Sequence, residues 1–154
     1  MNGEEYLIVH HKDLYNEIKS VIKNINAEGL KTKVSKENRK AGTQLYSSIE
    51  LKKAFDREFS KRNWNESRYN YYITLNRELM EKSLLMPAGE QKKFLIEHGE
   101  KNPIFSYNQT DFVKNKVAVE VQFGKYAFVA YDLFVKHMLF YSGGMINLGI
   151  EILP

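Results

Sequence analysis

The stretch S-Y-N-Q-T-D-F-V-K-N-K-V-A-V-E-V-Q-F, residues 106–123, decides the fold. Its second half alternates strictly, with valine or phenylalanine at every odd position from 117 to 123. A period of two with many β-branched residues predicts a strand with one buried face. Glu120 and Gln122 have the other parity, so we expect both side chains to point away from the core.

A second strand-like run, T-D-F-V, precedes this strand, and Lys114-Asn115-Lys116 is the polar break between the two. If Asn115-Lys116 forms a two-residue hairpin loop, Lys114 pairs with Val117, and the numbers of facing residues add up to 231. In that register Asp111 lies directly opposite Glu120.

Two carboxylates in this arrangement need an explanation. They repel each other by about 4 kcal/mol at ~4 Å if the effective dielectric constant is ~20, and like charges placed opposite each other destabilise a sheet. One explanation is a cation between them, since carboxylate and carbonyl oxygens with waters are the ligands that Mg²⁺ prefers. The other is an exposed edge hairpin whose two acids extend into water. The spacing D-x8-E-x-Q alone leaves both open.

The string T-D-F-V-K-N-K-V-A-V-E-V-Q-F-G-K-Y-A-F-V-A-Y-D-L-F-V-K-H-M, followed by G-I-E-I-L-P, resembles the BglII/BstYI family of type II restriction endonucleases. The BstYI side is the more similar, and the resemblance extends upstream through N-Y-Y-I-T and Y-N-Q-T-D. It implies an α/β fold with the PD-(D/E)xK nuclease core, a mixed central sheet flanked by helices. Gln122 stands where that fold commonly has lysine, a departure that the family shares.

The resemblance implies a Mg²⁺-dependent hydrolase that cuts phosphodiester bonds in duplex DNA at a GATC-centred palindrome, R-GATC-Y or A-GATC-T. Asp111 and Glu120 would bind the metal, together with the carbonyl of Val121. The metal would activate a bound water and neutralise charge at the scissile phosphate. Gln122 would orient the water or the phosphate, but it lacks the positive charge of a lysine.

Two segments are candidates for DNA contact. The resemblance implies that Gly124 lets the backbone approach DNA closely and that Lys125 reads a base edge in the major groove, with a phosphate contact or a solvated lysine as alternatives. The basic segment 31–40 is expected to be a mobile loop that either follows the phosphate backbone or is simply solvated. Its basic residues are Lys31, Lys33, Lys36, Arg39 and Lys40.

A helix from about Tyr126 to Tyr141 is apolar on more than one face, so it needs two partners. The sheet supplies one, and a second subunit would supply the other, because cutting a palindrome calls for two active sites related by a two-fold axis. Complete burial within a monomer is the alternative. The predicted dimer contacts are Phe134, Met138 and Tyr141.

The rest of the pattern gives a coarse order of elements. It predicts a strand at Tyr6–His10, a helix with an apolar stripe from Leu14 to Ile25, a helix capped by Ser47, a strand within Trp64–Thr74, helices capped by Asn76 and opened by Pro87, and a last strand from Ile146 to Leu153.

Length and composition indicate the number of domains, the class of partner and the cellular compartment. The 154 residues predict a single domain, and a net charge of +4 with a pI near 9.1 suits a polyanion partner. The absence of cysteine and of a signal-peptide pattern predicts a cytoplasmic protein without a membrane span. The resemblance also implies a cognate methyltransferase in the host and a family C-terminal segment that this chain lacks. A structure-specific repair or junction nuclease and a catalytically silent DNA-binding fragment remain alternative functions.

Overall fold

The computed structural model describes residues 2–124 and 126–154, so the predicted base-reading residue Lys125 lies outside the described residues. The chain forms two compact units. One comprises Met1–Asn65, Val121–Tyr126 and Ile152–Pro154, and the other Glu66–Glu120 and Ala127–Glu151. The single domain expected from chain length stays a prediction.

The first unit contains helices α1 (Gly3–His10), α2 (Lys12–Asn24) and α3 (Ser48–Ser60). The predicted strand at Tyr6–His10 is wrong, because Asn2 and Glu5 form a capping box that starts α1. The predicted helix in α2 is confirmed, with Leu14, Ile18 and Val21 buried. Ser47 caps α3 as expected by accepting a hydrogen bond from the backbone N–H of Glu50.

The basic segment 31–40 is more regular than the mobile loop that its composition predicts. Strand β1 (Lys33–Val34) pairs antiparallel with β2 (Gln44–Leu45), and short 3₁₀ turns occupy Glu28–Leu30 and Asn38–Lys40. Ser35 is buried between the exposed residues on either side and receives a hydrogen bond from the backbone N–H of Gly42 on its carbonyl oxygen. These backbone pairings, which composition does not reveal, give the segment its shape.

The central sheet has the strand order β3-β4-β5-β6. Its strands are β3 (Asn65–Ile73), β4 (Ile104–Lys114), β5 (Val117–Val121) and β6 (Leu148–Ile152). Strands β4 and β5 are antiparallel. Strand β6 runs parallel to β5, since the Lys116 carbonyl accepts from the N–H of Asn147 and the Gln122 N–H donates to the Ile152 carbonyl. The sheet is therefore mixed, as predicted.

The β4–β5 hairpin has the predicted register. Lys114 faces Val117 and Phe112 faces Val119, so the two-residue loop is Asn115-Lys116. Both loop residues have positive φ, 47° and 63°, as a type I′ turn requires. Such φ values are unusual for residues other than glycine, and asparagine is among those that tolerate them best.

The prediction that β5 buries one face is wrong, because all five of its residues are buried, Glu120 included. Strand β5 lies between β4 and β6, and charged side chains of a helix reach its second face. Glu120 therefore points into the protein and not away from the core, and the exposed edge hairpin is excluded.

That helix runs from Ala127 to Ser142 and changes its winding in the middle. Segments α6 (Ala127–Tyr131) and α7 (Met138–Ser142) enclose a π-helical stretch, Asp132–His137. The sequence predicts a continuous α-helix here and gives no sign of the π turn. In the core beside it, Tyr69, Ala118, Phe140 and Ile146 pack together.

Two shorter helices, α4 (Arg77–Ser83) and α5 (Ala88–Glu97), connect β3 to β4. Asn76 caps α4 as predicted. The buried side chain of Gln91 on α5 bonds both backbone groups of Tyr72 in β3: its Oε1 accepts from the N–H at 2.7 Å and its Nε2 donates to the carbonyl at 3.0 Å. Among the described residues, no helix is long and apolar enough to cross a membrane.

Candidate functional site

Asp111 and Glu120 meet across the β4–β5 hairpin. The register continues one pair beyond Phe112 and Val119, and the backbone N–H of Asp111 donates to Glu120 Oε1 at 3.1 Å. Glu120 is only 5% exposed. The two acids thus face each other as the predicted register requires, with Glu120 buried and Asp111 half-buried.

A lysine that the sequence prediction did not assign to the site completes this arrangement. Lys136, in the π-helical stretch, places its Nζ 2.9 Å from Glu120 Oε1 and 2.8 Å from Asp132 Oδ1. The side chains of Lys136 and Glu120 are 11% and 6% exposed. Because these ion pairs are almost completely removed from water, dissolved salt screens them little.

The charges of this cluster act on one another. Burial raises the pKa of Glu120, the nearby charge of Asp111 raises it further, and the positive charge of Lys136 opposes both effects. Burial alone would lower the pKa of Lys136, but its bonds to Asp132 and Glu120 outweigh burial, and the pKa lies above its usual value. Lys136 therefore stays protonated at neutral pH.

His137 and Glu151 form a second buried pair next to this cluster. His137 Nδ1 lies 3.9 Å from Glu151 Oε1, too far for a hydrogen bond, and both ring nitrogens and both carboxylate oxygens lack a hydrogen-bond partner. Burial lowers the pKa of His137 to about 4. Burial, then the charges of Asp132 and Glu120, raise the pKa of Glu151 to about 8. At neutral pH both groups are therefore mainly uncharged.

The carboxylates suit a hard divalent cation. The charge of Asp111 raises the pKa of Glu120, and the Asp111 backbone N–H contacts the Glu120 carboxylate, so the two acidic residues are neighbours. Within residues 2–124 and 126–154, no three His, Asp or Glu side chains form a cluster that could hold a metal ion by themselves. Mg²⁺ seldom uses such an all-protein cage, and it binds through one or two carboxylates with waters and substrate phosphates. The pair fits this mode of binding.

The other predicted catalytic residues directly follow Glu120. Val121 ends β5 and is buried, and the next residue, Gln122, donates its backbone N–H to the Ile152 carbonyl at 3.1 Å. Their roles in metal binding and water orientation stay predictions. Gly124 has φ of +103°, and among the atoms of residues 2–124 and 126–154 a Cβ atom there would have only Ser48 Cβ within 4 Å, at 3.9 Å. The left-handed backbone, rather than lack of space, is what favours glycine at this position.

The candidates for DNA and dimer contact among the described residues lie at or near the surface. Lys33, Lys36, Arg39 and Lys40 are exposed, whereas Lys31 is half-buried and pairs with Glu28 at 2.7 Å. Phe134, Met138 and Tyr141 are 73%, 55% and 60% exposed. Complete burial of the helix within one chain, the alternative considered above, is therefore excluded.

Four residues of the site region did not follow from the sequence: Asp132, Lys136, His137 and Glu151. A signal exists for three of them, since they are the charged or titratable residues that interrupt an otherwise apolar helix. Their spacing of four and five residues does not fit one face of an α-helix closely, but it fits a π turn, whose hydrogen bonds span five residues. Glu151 carries no such signal, because an acid in the last strand can face either side of the sheet.

Comparison with known proteins supplies the family. No curated protein matches the chain. The model of the family described as "Restriction endonuclease BglII/BglIII" matches residues 1–154, which is the whole chain. The mixed sheet flanked by helices agrees with a restriction-endonuclease-like fold. This protein therefore belongs to the BglII/BglIII family of restriction endonucleases.

Proposed function

We propose that the protein is a type II restriction endonuclease that hydrolyses phosphodiester bonds of duplex DNA in a Mg²⁺-dependent reaction. The observation that carries this proposal is that the half-buried Asp111 and the buried Glu120 meet across the central hairpin of a member of this family. Two opposed acidic side chains that are partly removed from water destabilise the fold unless a cation balances their charge. A metal ion bound for the hydrolysis of DNA would be such a cation.

In this proposal Asp111, Glu120 and the carbonyl of Val121 hold the metal. The bound metal would supply an activated water and neutralise charge on the scissile phosphate. Gln122 would hold that water or the phosphate by hydrogen bonding. The order of these residues, D-x8-E-x-Q, is a variant of the PD-(D/E)xK signature with glutamine in place of lysine.

Two parts of the chain would contact DNA, the segment 31–40 and the residues Gly124 and Lys125. The exposed lysines and arginine of the segment 31–40 would follow the phosphate backbone, and the net charge of +4 favours such contacts. Gly124 and Lys125 would lie at the bases, and the preferred target is R-GATC-Y, as in the BstYI enzymes that the sequence resembles. A methyltransferase of the same specificity would then protect the host DNA.

A homodimer provides two active sites for the two strands of the palindrome. The exposed apolar residues Phe134, Met138 and Tyr141 support an interface on the outer side of the helix Ala127–Ser142. An apolar surface of this kind on a basic protein is typical of a contact site.

Digestion of a plasmid with a known set of GATC sites tests the function. We expect discrete fragments in Mg²⁺, none in EDTA, and ends that sequencing maps to one palindrome. Ends located at branched or single-stranded structures would instead identify a structure-specific nuclease. Retarded DNA without any cleavage in Mg²⁺ or Mn²⁺ would identify a silent DNA-binding protein.

A further inference from the structure

The inference concerns Lys136 and rests on the function proposed above. Its ammonium group is held between Asp132 Oδ1 at 2.8 Å and Glu120 Oε1 at 2.9 Å. Asp132 lies one turn before it on the same helix, whereas Glu120 comes from the sheet. Lys136 thus connects the helix to one of the two carboxylates of the candidate metal site.

The local winding of the helix makes this connection possible. Asp132, Lys136 and His137 are all buried, while Leu133, Phe134 and Val135 between them are exposed. In a regular α-helix, adjacent side chains point about 100° apart. The π turn widens the inward face so that Lys136 and His137 can both occupy it, and such turns are frequent at functional sites.

The contacts of Glu120 show what Lys136 does to it. Both the Asp111 N–H and the Lys136 Nζ approach Oε1, and the Thr110 side chain lies close enough to lower the pKa of Glu120. Contacts from two different elements, strand β4 and the helix, restrict the orientation of this carboxylate. This is how groups around a metal site commonly orient a ligand.

The charges lead to the same assignment. Because the pKa of Lys136 is raised, its ammonium group supplies a positive charge between the side chains of Glu120 and Asp132. A buried ion pair is weak evidence for stability, since apolar residues of similar volume often serve as well.

We propose that Lys136 is a positioning residue for the metal site: held by Asp132, it fixes the Glu120 carboxylate through Oε1 so that this carboxylate can bind a divalent cation together with Asp111. Lys136 thereby supplies, from the helix, a positive charge at the catalytic carboxylates that Gln122 does not supply from the strand.

The test compares Lys136→Met with Lys136→Arg in the full chain. Mn²⁺ alone is titrated into each protein by calorimetry, and the Mg²⁺ concentration for half-maximal plasmid cleavage is measured alongside. Loss of a group that orients a ligand typically weakens metal affinity by about 10–100-fold, so we expect a loss of this size in K136M for both quantities. Lys136→Arg keeps the charge and should recover most of it. Lys93→Met, which removes an exposed i,i+4 ion pair with Glu97, should behave like the wild type.

A folded K136M protein whose Mn²⁺ affinity equals that of the wild type would overturn the inference, even if its melting temperature were lower. Should K136M not fold, Asp132→Asn keeps the lysine but loosens its hold, and an Mn²⁺ affinity equal to that of the wild type would overturn the inference as well. The two failures are distinguishable. Normal metal binding by these variants in an active enzyme removes only the role of Lys136, whereas a wild type that neither binds Mn²⁺ nor cuts DNA removes the proposed function and this inference together.

Discussion

The ring of His137 fills the space that a side chain at Gly149 would need, since a Cβ atom there would lie 2.3 Å from His137 Nδ1. Real Cβ atoms do not approach other atoms so closely, so either the ring or strand β6 must move. The absence of a side chain at Gly149 thus leaves the space that the buried ring of His137 occupies, next to Lys136 in the helix. This contact determines how closely the π-helical stretch can approach the sheet.

Gly149→Ala should therefore destabilise the protein. Overpacking of this kind costs about 1–3 kcal/mol, and at about 2–4 °C per kcal/mol for a chain of this size the melting temperature should fall by several degrees. Gly89→Ala is the matched control, because a Cβ atom at Gly89 in α5 meets nothing within 4 Å. Removing the ring should relieve the clash, so G149A should cost less in a His137→Ala background. Equal melting temperatures for G149A and the wild type would contradict this account.

The stability of the protein should fall as the pH rises from about 6.5 to 8. The pKa of Glu151 is raised to about 8. Its protonated form therefore contributes to the free energy of unfolding in full below the ordinary carboxyl pKa, and this contribution is lost as the pH rises through 8. The pKa of His137 is lowered to about 4, so its contribution is lost as the pH falls from 6.5 through 4. These two effects oppose each other at acidic pH, and above pH 6.5 only that of Glu151 continues.

Glu151→Gln isolates this effect. The wild type should lose at most about 1.4 kcal/mol per pH unit between pH 6.5 and 8, which corresponds to about 3–6 °C in melting temperature per unit. E151Q stays neutral and should show a flatter profile, with the larger gain at pH 8. Thermal melts at several pH values measure both proteins, and parallel profiles would show that Glu151 does not titrate in this range.

Glu120→Ala should abolish cleavage while DNA binding is retained or improved. The change removes one of the two proposed metal ligands and also a negative charge close to the phosphates, and a loss of about a thousandfold corresponds to about 4 kcal/mol in the barrier. Lys136 keeps Asp132 as a partner, so the helix retains an ion pair. Glu97→Ala removes the same charge from the surface of α5 and should cut normally. Nicking by E120A at a comparable rate in Mg²⁺ would reject the assignment.

Lys125→Ala separates two interpretations of a residue that lies outside the described residues. A base contact is worth about 1–3 kcal/mol of discrimination at one position of the site. A phosphate contact would weaken binding to all sequences alike and reduce the salt slope by about one unit. We expect relaxed preference at one base pair when a library of sites is bound at fixed salt. Uniform weakening across that library would favour the phosphate contact.

Phe134→Glu should convert a dimer into a monomer. Phe134 is 73% exposed, so a glutamate there should leave the fold intact while placing a charge in the proposed apolar interface. Sedimentation at micromolar concentration should show the wild type as a dimer and F134E as a folded monomer. Leu75→Glu, at a residue that is 95% exposed outside this helix, serves as the control. A monomeric wild type, with and without target DNA, would argue against this interface.

The hairpin could be predicted from sequence because its determinants are local. The alternation of β5 and the polar break Asn115-Lys116 fix the register, and the structure reproduces it pair by pair. The burial of Glu120 could not be predicted in this way. It depends on strand β6 and on Lys136, which are distant in sequence, and alternation alone cannot distinguish a face open to water from a face covered by a charged partner.

The wrong strand at the N-terminus and the unpredicted π turn have different causes. The strand predicted at Tyr6–His10 was avoidable, since Asn2 and Glu5 have the spacing of a capping box. The π turn was not, because the energetic difference between α and π winding depends on which side chains the sheet can accept. Gly149 makes room for His137 there, and nothing near position 137 in the sequence records that space.

The two hydrogen bonds between the Gln91 side chain and the Tyr72 backbone have a consequence for assembly. Strand β3 is the first in the sheet order, and the outer rim of such a strand offers unpaired amide groups on which another chain can add a strand. At Tyr72 both groups are already occupied by one buried glutamine amide, which imitates the backbone of a neighbouring strand. Helix α5 thus blocks the addition of a further strand at Tyr72, near the end of β3.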